Sequence, residues 1–191
     1  MRASKLVHED RIARLNSDDP RSGADYVLYW MQSAGRAEHN PALEFAIQQA
    51  NEQGLPLVVV FCLTPDFPEA NLRHYTFLLE GLVETLDALR RRNALPLFRL
   101  GDPPEVVLEL SSRARLVVMD KGYLRVLRTW YDKFLDGVEC PVYQVEGEAV
   151  VPVELASTKQ EYAARTIRPR IKKHLSEFLF ELTTTLSLIH I

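Results

Sequence analysis

Hydrophobic positions along the chain fall in short blocks whose period switches between that of a strand and that of a helix. Tyr26-Val-Leu-Tyr-Trp-Met31 is a compact β-branched and aromatic run and reads as a strand. Asn40-Pro41 then opens a helix, because asparagine caps and proline fits the first helical position. Leu43, Ala46, Ile47 and Ala50 fall on one face of that helix, and Gly54 ends it. Pro56–Leu63, PLVVVFCL, is apolar on both faces, as a strand buried in a parallel sheet must be. The turn-rich Thr64–Pro68 leads to a long helix over Asn71–Arg92, with Leu78, Leu79, Leu82, Leu86 and Leu89 at helical spacing and Arg90–Arg92 at its C-terminal end. Leu95–Leu100 is a third strand, Asp102-Pro103 starts a helix through Leu110, Arg115–Asp120 is a fourth strand, a helix spans Leu124–Leu135, and Pro141–Val145 is a fifth strand.

Five strands with four helices between them predict an α/β fold: a Rossmann-like, doubly wound five-stranded parallel sheet of order 3-2-1-4-5 with helices on both faces. Ligands of such sheets bind outside the carboxyl ends of the strands. The loops at that edge are Gln32–His39, Thr64–Ala70, Gly101-Asp102, Lys121–Tyr123 and Glu146–Pro152. Residues 1–24 are polar and read as an N-terminal extension, with a short helix around Lys5–Leu15; the α/β domain occupies 25–155.

Composition narrows the class. The chain has 191 residues, 47% hydrophobic and 26% charged, which fits one globular domain with a core. The net charge of −3 argues against a general nucleic-acid binder. Cys62 and Cys140 lie in strand-like apolar runs and suggest buried thiols in a reducing compartment. No apolar run is long enough for a membrane span, and the charged N-terminus has no secretory h-region, so a cytoplasmic, monomeric protein is expected. Gly35 stands alone after strand one, so a G-x-G-x-x-G dinucleotide loop is absent, as are a P-loop and a G-x-S-x-G elbow. The five histidines show no metal-ligand spacing with the cysteines, and no metal site is expected.

Four blocks are more distinctive. Tyr26–Ala46 contains Tyr-Trp-Met-Gln at the strand end, then Arg36, then His39-Asn40 and an Ala-Leu helix start. Glu69-Ala-Asn-Leu-Arg-His-Tyr75, Asp120-Lys-Gly-Tyr-Leu-Arg125, and Val150–Ser157 running on to Glu161–Pro169 follow in order. Together they resemble the N-terminal α/β, antenna-binding domain of class II DNA photolyases, within the photolyase and cryptochrome family, over residues 11 to 180. That resemblance implies a light-driven deoxyribodipyrimidine photo-lyase, in which reduced FAD donates an electron to a cyclobutane pyrimidine dimer in UV-damaged DNA. It also implies that the FAD lies in a helical C-terminal domain reached through a linker. Residues 156–180 read as the start of that linker, so no catalytic residue and no bound FAD are expected in this chain. Residues 181–191 read as a non-native tail, because LSLIHI resembles a translated sequencing adapter. The alternatives are a free-standing nucleotide- or chromophore-binding α/β module without catalysis, and a structural domain with an empty crevice.

Candidate positions follow from the edge loops. Met31, Gln32, Arg36, Lys121 and Tyr123 would hold a deazaflavin or other antenna chromophore, ring against tyrosine and apolar wall, polar tail toward the cations. The plainer readings are core packing for Trp30 or Met31, a solvated loop for Arg36, a polar loop for Lys121–Tyr123, and helix or turn capping for Asn40 and Asp120. Arg165–His174 holds five basic residues and no acid, leaving 18 basic against 26 acidic residues elsewhere, a balance of −8. Within it Arg168, Arg170, Lys172 and Lys173 are candidates for DNA or interdomain contact, against a solvated helix with inward isoleucines.

Overall fold

The computed structural model describes residues 7–189. Its sheet has six strands in the order β1-β6-β5-β2-β3-β4. They are β1 (Ile12–Arg14), β2 (Tyr26–Trp30), β3 (Leu57–Leu63), β4 (Leu95–Leu100), β5 (Ala114–Asp120) and β6 (Val142–Val145). The helices are α1 (Pro41–Gln53), α2 (Leu72–Arg91), α3 (Pro103–Ser111), α4 (Arg125–Leu135), α5 (Val153–Ala156) and α6 (Ala164–Phe178). Strands β2 to β6 are mutually parallel, and β1 runs antiparallel to β6, with Ile12 opposite Val145 and Arg14 opposite Tyr143.

The sixth strand corrects the expected five-stranded, all-parallel sheet and the expected helix over Lys5–Leu15, whose first two residues lie outside the described ones. Glu9–Arg11 is instead a single 3-10 turn, and the chain extends from Ile12. Three residues carry too little periodicity to announce a strand; distant contacts decide it. The Arg11 guanidinium is buried and donates to the carbonyl oxygens of Glu146 (3.0 Å), Ala149 (2.9 Å) and Val150 (2.5 Å). Burial lowers its pKa, against the opposing pull of Glu146. Asn16 exchanges hydrogen bonds with the backbone at Cys140 and Val142, holding the other end.

Alternation across the sheet fills both faces. Tyr29, Met31, Val59 and Phe61 pack with Leu43, Phe45, Ile47, Leu82 and Leu89 of α1 and α2. Leu28, Trp30, Val58, Val60 and Met119 pack with Val107 of α3 and with Leu127, Trp130, Tyr131 and Phe134 of α4. Trp30 meets Tyr131 and Phe134 edge-on, at 5.5 Å between ring centres in each case. Both cysteines are free and buried, and burial pushes the Cys62 thiol up to about 12 and that of Cys140 to about 11. Strand β4 forms one edge and carries Pro96, which a central strand would not tolerate. Among the described residues no helix is long and apolar enough to cross a membrane.

Beyond β6 the chain packs back. Ile167, Ile171, Leu175 and Phe178 recur at helical spacing on α6 and cover Val151 and Ala156. This gives a helix over much of the stretch read as a linker. The Arg11 guanidinium also lies over the Phe178 ring, 5.2 Å from its centre, so one arginine joins the N-terminal turn, the loop after β6 and the end of α6. Residues 185–188, within the segment read as a non-native tail, hydrogen-bond to α1 and the end of α2. Phe134→Ala removes a fully buried ring from the α4 face. It should cost about 3–5 kcal/mol in urea unfolding, against about 0.5 kcal/mol or less for Val83→Ala on the exposed face of α2.

Candidate functional site

The carboxyl edge of the sheet is organised by one acid. Asp120 ends β5 beside the end of β2, and its side chain is buried. Its Oδ2 accepts the successive backbone N–H groups of Gln32 (2.9 Å), Ser33 (2.9 Å) and Ala34 (3.0 Å). Its Oδ1 accepts the Tyr29 hydroxyl at 2.6 Å. Three amides converging on one point make an anion-binding nest, and here a carboxylate of the same chain fills it. Burial raises the Asp120 pKa, while the donors from Ala34, Tyr29, Gln32 and Ser33 pull it back. Burial, and then Asp120 itself, push the Tyr29 phenol well up, so it stays a donor.

Asn40 extends the network. Its Nδ2 donates to the Tyr29 hydroxyl (3.0 Å) and to the carbonyls of Ala34 (3.2 Å) and Arg36 (3.0 Å). Its Oδ1 accepts the Leu43 N–H and caps α1. The capping expected of Asn40 is therefore present, and the same side chain also closes the loop before the helix. Gly122 follows from the same crowding: a Cβ there would lie 2.7 Å from Ser33 Oγ and 2.9 Å from the Tyr131 hydroxyl.

Several clefts open around this edge, and three of them lie near Gln32 and Tyr123. The first, of about 420 Å³, lies beyond the ends of β2 and β3 and is lined by Gln32, Phe61, Leu63, Phe67, His74 and Tyr75 among others. The second, of about 440 Å³, lies between the loops after β2 and β5 and is lined by Gln32, Ser33, Phe67, Tyr123, Leu124 and Leu127, with Glu148. Gln32 and Phe67 border both, so the two clefts adjoin in one crevice. A third, of about 430 Å³, runs on the far side of Tyr123 beside Lys121, Arg128, Asp132 and Glu154.

The five edge residues separate. Gln32 and Tyr123 meet in the crevice. Tyr123 is half-buried, and burial and then the Glu146 carboxylate beside its hydroxyl raise its pKa. Met31 is 1% exposed in the core beneath α1, which corrects its expected place at the ligand; Trp30 is likewise core, on the opposite face. The expected convergence of cations is also corrected. The Arg36 guanidinium donates to the carbonyls of His39 (3.2 Å) and Gly147 (3.2 Å), tying two loops together. Lys121 Nζ pairs with Glu154 at 2.7 Å and Glu146 at 3.5 Å. On α6, Arg168, Arg170, Lys172 and Lys173 are exposed. Arg168 and Lys172 share a stripe with Arg165, whereas Arg170 pairs with Glu161 at 3.2 Å.

The strand ends put the loop Thr64–Ala70 at the edge but do not single out Phe67, His74 or Tyr75. An aromatic inside the turn Thr64-Pro-Asp-Phe-Pro68 is the available signal. The turn-capping reading of Asp120 understates it; a lone acid ending an apolar strand is the signal for the nest.

The family model described as DNA photolyase matches residues 27–187. A deoxyribodipyrimidine photo-lyase of Methanothermobacter thermautotrophicus is 44% identical over 177 residues, 93% of this chain and 40% of that protein. The protein of the same name from Potorous tridactylus is 36% identical over 158 residues, 81% of this chain and 30% of that protein. The crystal structure of a bacterial class III photolyase from Agrobacterium tumefaciens superposes with a TM-score of 0.63 at 18% identity, over 88% of this chain and 36% of that one, and shows the shared fold. The chain thus spans 40% or less of the length of these relatives.

Asp120→Asn keeps the shape but replaces one of the two acceptor oxygens by an N–H₂ donor, so either the three amides or the Tyr29 hydroxyl loses its acceptor. It should destabilise the chain by about 2–4 kcal/mol in urea unfolding. The amides of Gln32, Ser33 and Ala34 should then exchange faster relative to those of β3. Unchanged exchange at these three amides would show that the loop does not depend on the carboxylate.

Proposed function

Because the chain belongs to the DNA photolyase family, we propose that it is the N-terminal α/β part of a class II deoxyribodipyrimidine photo-lyase. Such an enzyme uses light and reduced FAD to reopen cyclobutane pyrimidine dimers in UV-damaged DNA. The observation that carries the reading is the 44% identity over 177 residues to a protein of that name. The Tyr-Trp-Met-Gln block and its three successors support class II. Dimer splitting requires the lesion to be presented outside the base stack, at a cost of a few kcal/mol that a distorted site reduces. The share of this chain in that task is scaffold, light harvesting and contact with the remainder of the enzyme or the DNA.

FAD does not fit the crevice described above. Its pyrophosphate would need an anion site at the sheet edge, and the three amides available are taken by Asp120. The 191-residue chain is expected to purify without stoichiometric FAD and to show no light-dependent repair. A flavin spectrum of one FAD per chain, or repair by the chain alone, would overturn this.

A flat antenna chromophore such as a deazaflavin fits better. Phe61, Leu63, Phe67, Tyr75 and Leu78 provide an apolar wall, and the Gln32 carboxamide offers polar contact where the two clefts adjoin. There Gln32 accepts the Trp30 indole N–H at 3.1 Å, which fixes its orientation. Tyr123 borders the second cleft. In a full-length parent reconstituted with a deazaflavin, Phe67→Ala and Gln32→Ala should each weaken antenna binding by about tenfold, equivalent to about 1.4 kcal/mol. Arg36→Ala and Lys121→Ala should weaken it less, because both cations are already engaged. Equal binding by the Phe67 and Gln32 variants and wild type would move the antenna elsewhere.

The α6 stripe supports contact with phosphates or an acidic neighbour. Neutralising Arg168, Lys172 and Lys173 in the full-length enzyme should weaken binding to lesion-bearing DNA. The salt slope should fall by roughly one unit for each phosphate that is no longer neutralised. An unchanged slope with lowered thermal stability would assign the stripe to domain docking instead.

A further inference from the structure

Away from the crevice, α1 and the end of α2 hold a second buried acid. Glu44 is 1% exposed and pairs through Oε1 with Arg92 Nη2 at 2.6 Å. A buried ion pair is tolerated only when the remaining lone pairs and protons of both partners are satisfied. Arg92 Nη1 donates to the Ala37 carbonyl at 2.6 Å, within the body of the fold. Every other polar atom of the pair is satisfied by one residue 93 positions farther along. The Thr185 N–H donates to Glu44 Oε2 at 3.1 Å, and the Thr185 hydroxyl donates to the same oxygen. The Thr185 carbonyl accepts Arg92 Nε at 2.9 Å and Nη2 at 2.7 Å.

The next three residues are gripped differently. The Asn51 carboxamide donates to the Leu186 carbonyl at 3.0 Å and accepts the Leu188 N–H at 2.8 Å. The Ser187 N–H donates to the Arg92 carbonyl (3.1 Å), and Asn93 Nδ2 donates to the Ser187 carbonyl (3.0 Å). Asn93 reaches that position from φ 60°, the left-handed conformation that closes α2 and that asparagine tolerates. The Leu186 and Leu188 side chains point out, 52% and 70% exposed. Thr185 bonds the groove through its hydroxyl as well as its main chain, Ser187 is fully buried, and Leu186 and Leu188 are held by main chain alone.

We propose that Glu44, Asn51, Arg92 and Asn93 form a recognition groove for an extended peptide, occupied by residues 185–188 of this chain, which demands a β-hydroxyl residue at the first position, encloses a small residue at the third, and reads only main chain at the second and fourth. Threonine or serine alone supplies an N–H and a hydroxyl to one carboxylate oxygen while its carbonyl serves the guanidinium. This explains how Thr185-Leu-Ser-Leu188 seats with both leucine side chains exposed. The inference does not rest on the photolyase reading.

The test is amide hydrogen exchange across 181–189 in the full chain, with the β3 amides of Val58–Val60 as an internal reference. In the wild type the amides of Thr185, Ser187 and Leu188 should exchange at least about tenfold slower than in a free peptide of the same sequence. Thr185→Ser and Leu188→Ala should keep that protection. Thr185→Val and Asn51→Ala should lose about tenfold of it while β3 stays protected. Free-peptide exchange in the wild type would overturn the groove. So would protection that survives Thr185→Val, protection that disappears in Leu188→Ala, or a Thr185→Val effect that extends to β3, since each assigns the docking to something other than the hydroxyl.

Discussion

A carboxylate in the dry interior must be solvated by the protein or be neutralised, and Asp120 is solvated by the loop it organises. Its four donors come from Tyr29 on β2 and from three consecutive amides after β2, so the acid on one central strand fixes the path leaving its neighbour. Tyr29 passes the constraint to Asn40, and Asn40 to the first turn of α1. The sheet edge, the loop and the helix start are thus one hydrogen-bonded unit. Without the carboxylate the three amides would need water or a bound anion, and the loop would have no single reason to sit where it does.

The same interaction decides what the edge can bind. In open α/β sheets the switch point is a natural phosphate site, because amides and a helix N-terminus converge there. Here the site is filled from within. What remains open is mostly apolar: Phe61, Phe67 and Tyr75 on the walls and Gln32 where the two clefts adjoin, with Glu69, His74 and Glu148 at the margins. The nearby cations are held by Glu154, Glu146 and the Gly147 carbonyl. A neutral or weakly charged aromatic ligand loses little on entering such a crevice, whereas a phosphate would find the edge amides already taken by Asp120.

The strands are legible in the sequence because burial on both faces leaves an unbroken apolar run, as in PLVVVFCL, and the helix starts because Asn40-Pro41 and Asp102-Pro103 act locally. Strand β1 is not legible, since its three residues are fixed by the reach of Arg11 to carbonyls 135 to 139 positions away. Topology places Gln32 and Tyr123 at the edge correctly, because position follows from strand ends. It does not say that Arg36 and Lys121 are already engaged, since their partners lie 111 and 33 residues away. On α6 both readings of the basic run coexist: isoleucines cover Val151 and Ala156, and Arg168 and Lys172 face out.

Helix α1 links the two buried acids. Its cap, Asn40, belongs to the Asp120 network, and Glu44, one turn later, anchors Thr185. Ala37, in the loop that Asp120 shapes, supplies a carbonyl to Arg92, which completes the Glu44 pair. A displacement of the loop would therefore strain both networks, because each acid is too deeply buried to exchange a lost donor for water. The crevice side of α1 and the side that holds residues 185–188 share one support. A chromophore held against Gln32 would be referenced to the same helix that holds the segment leaving α6.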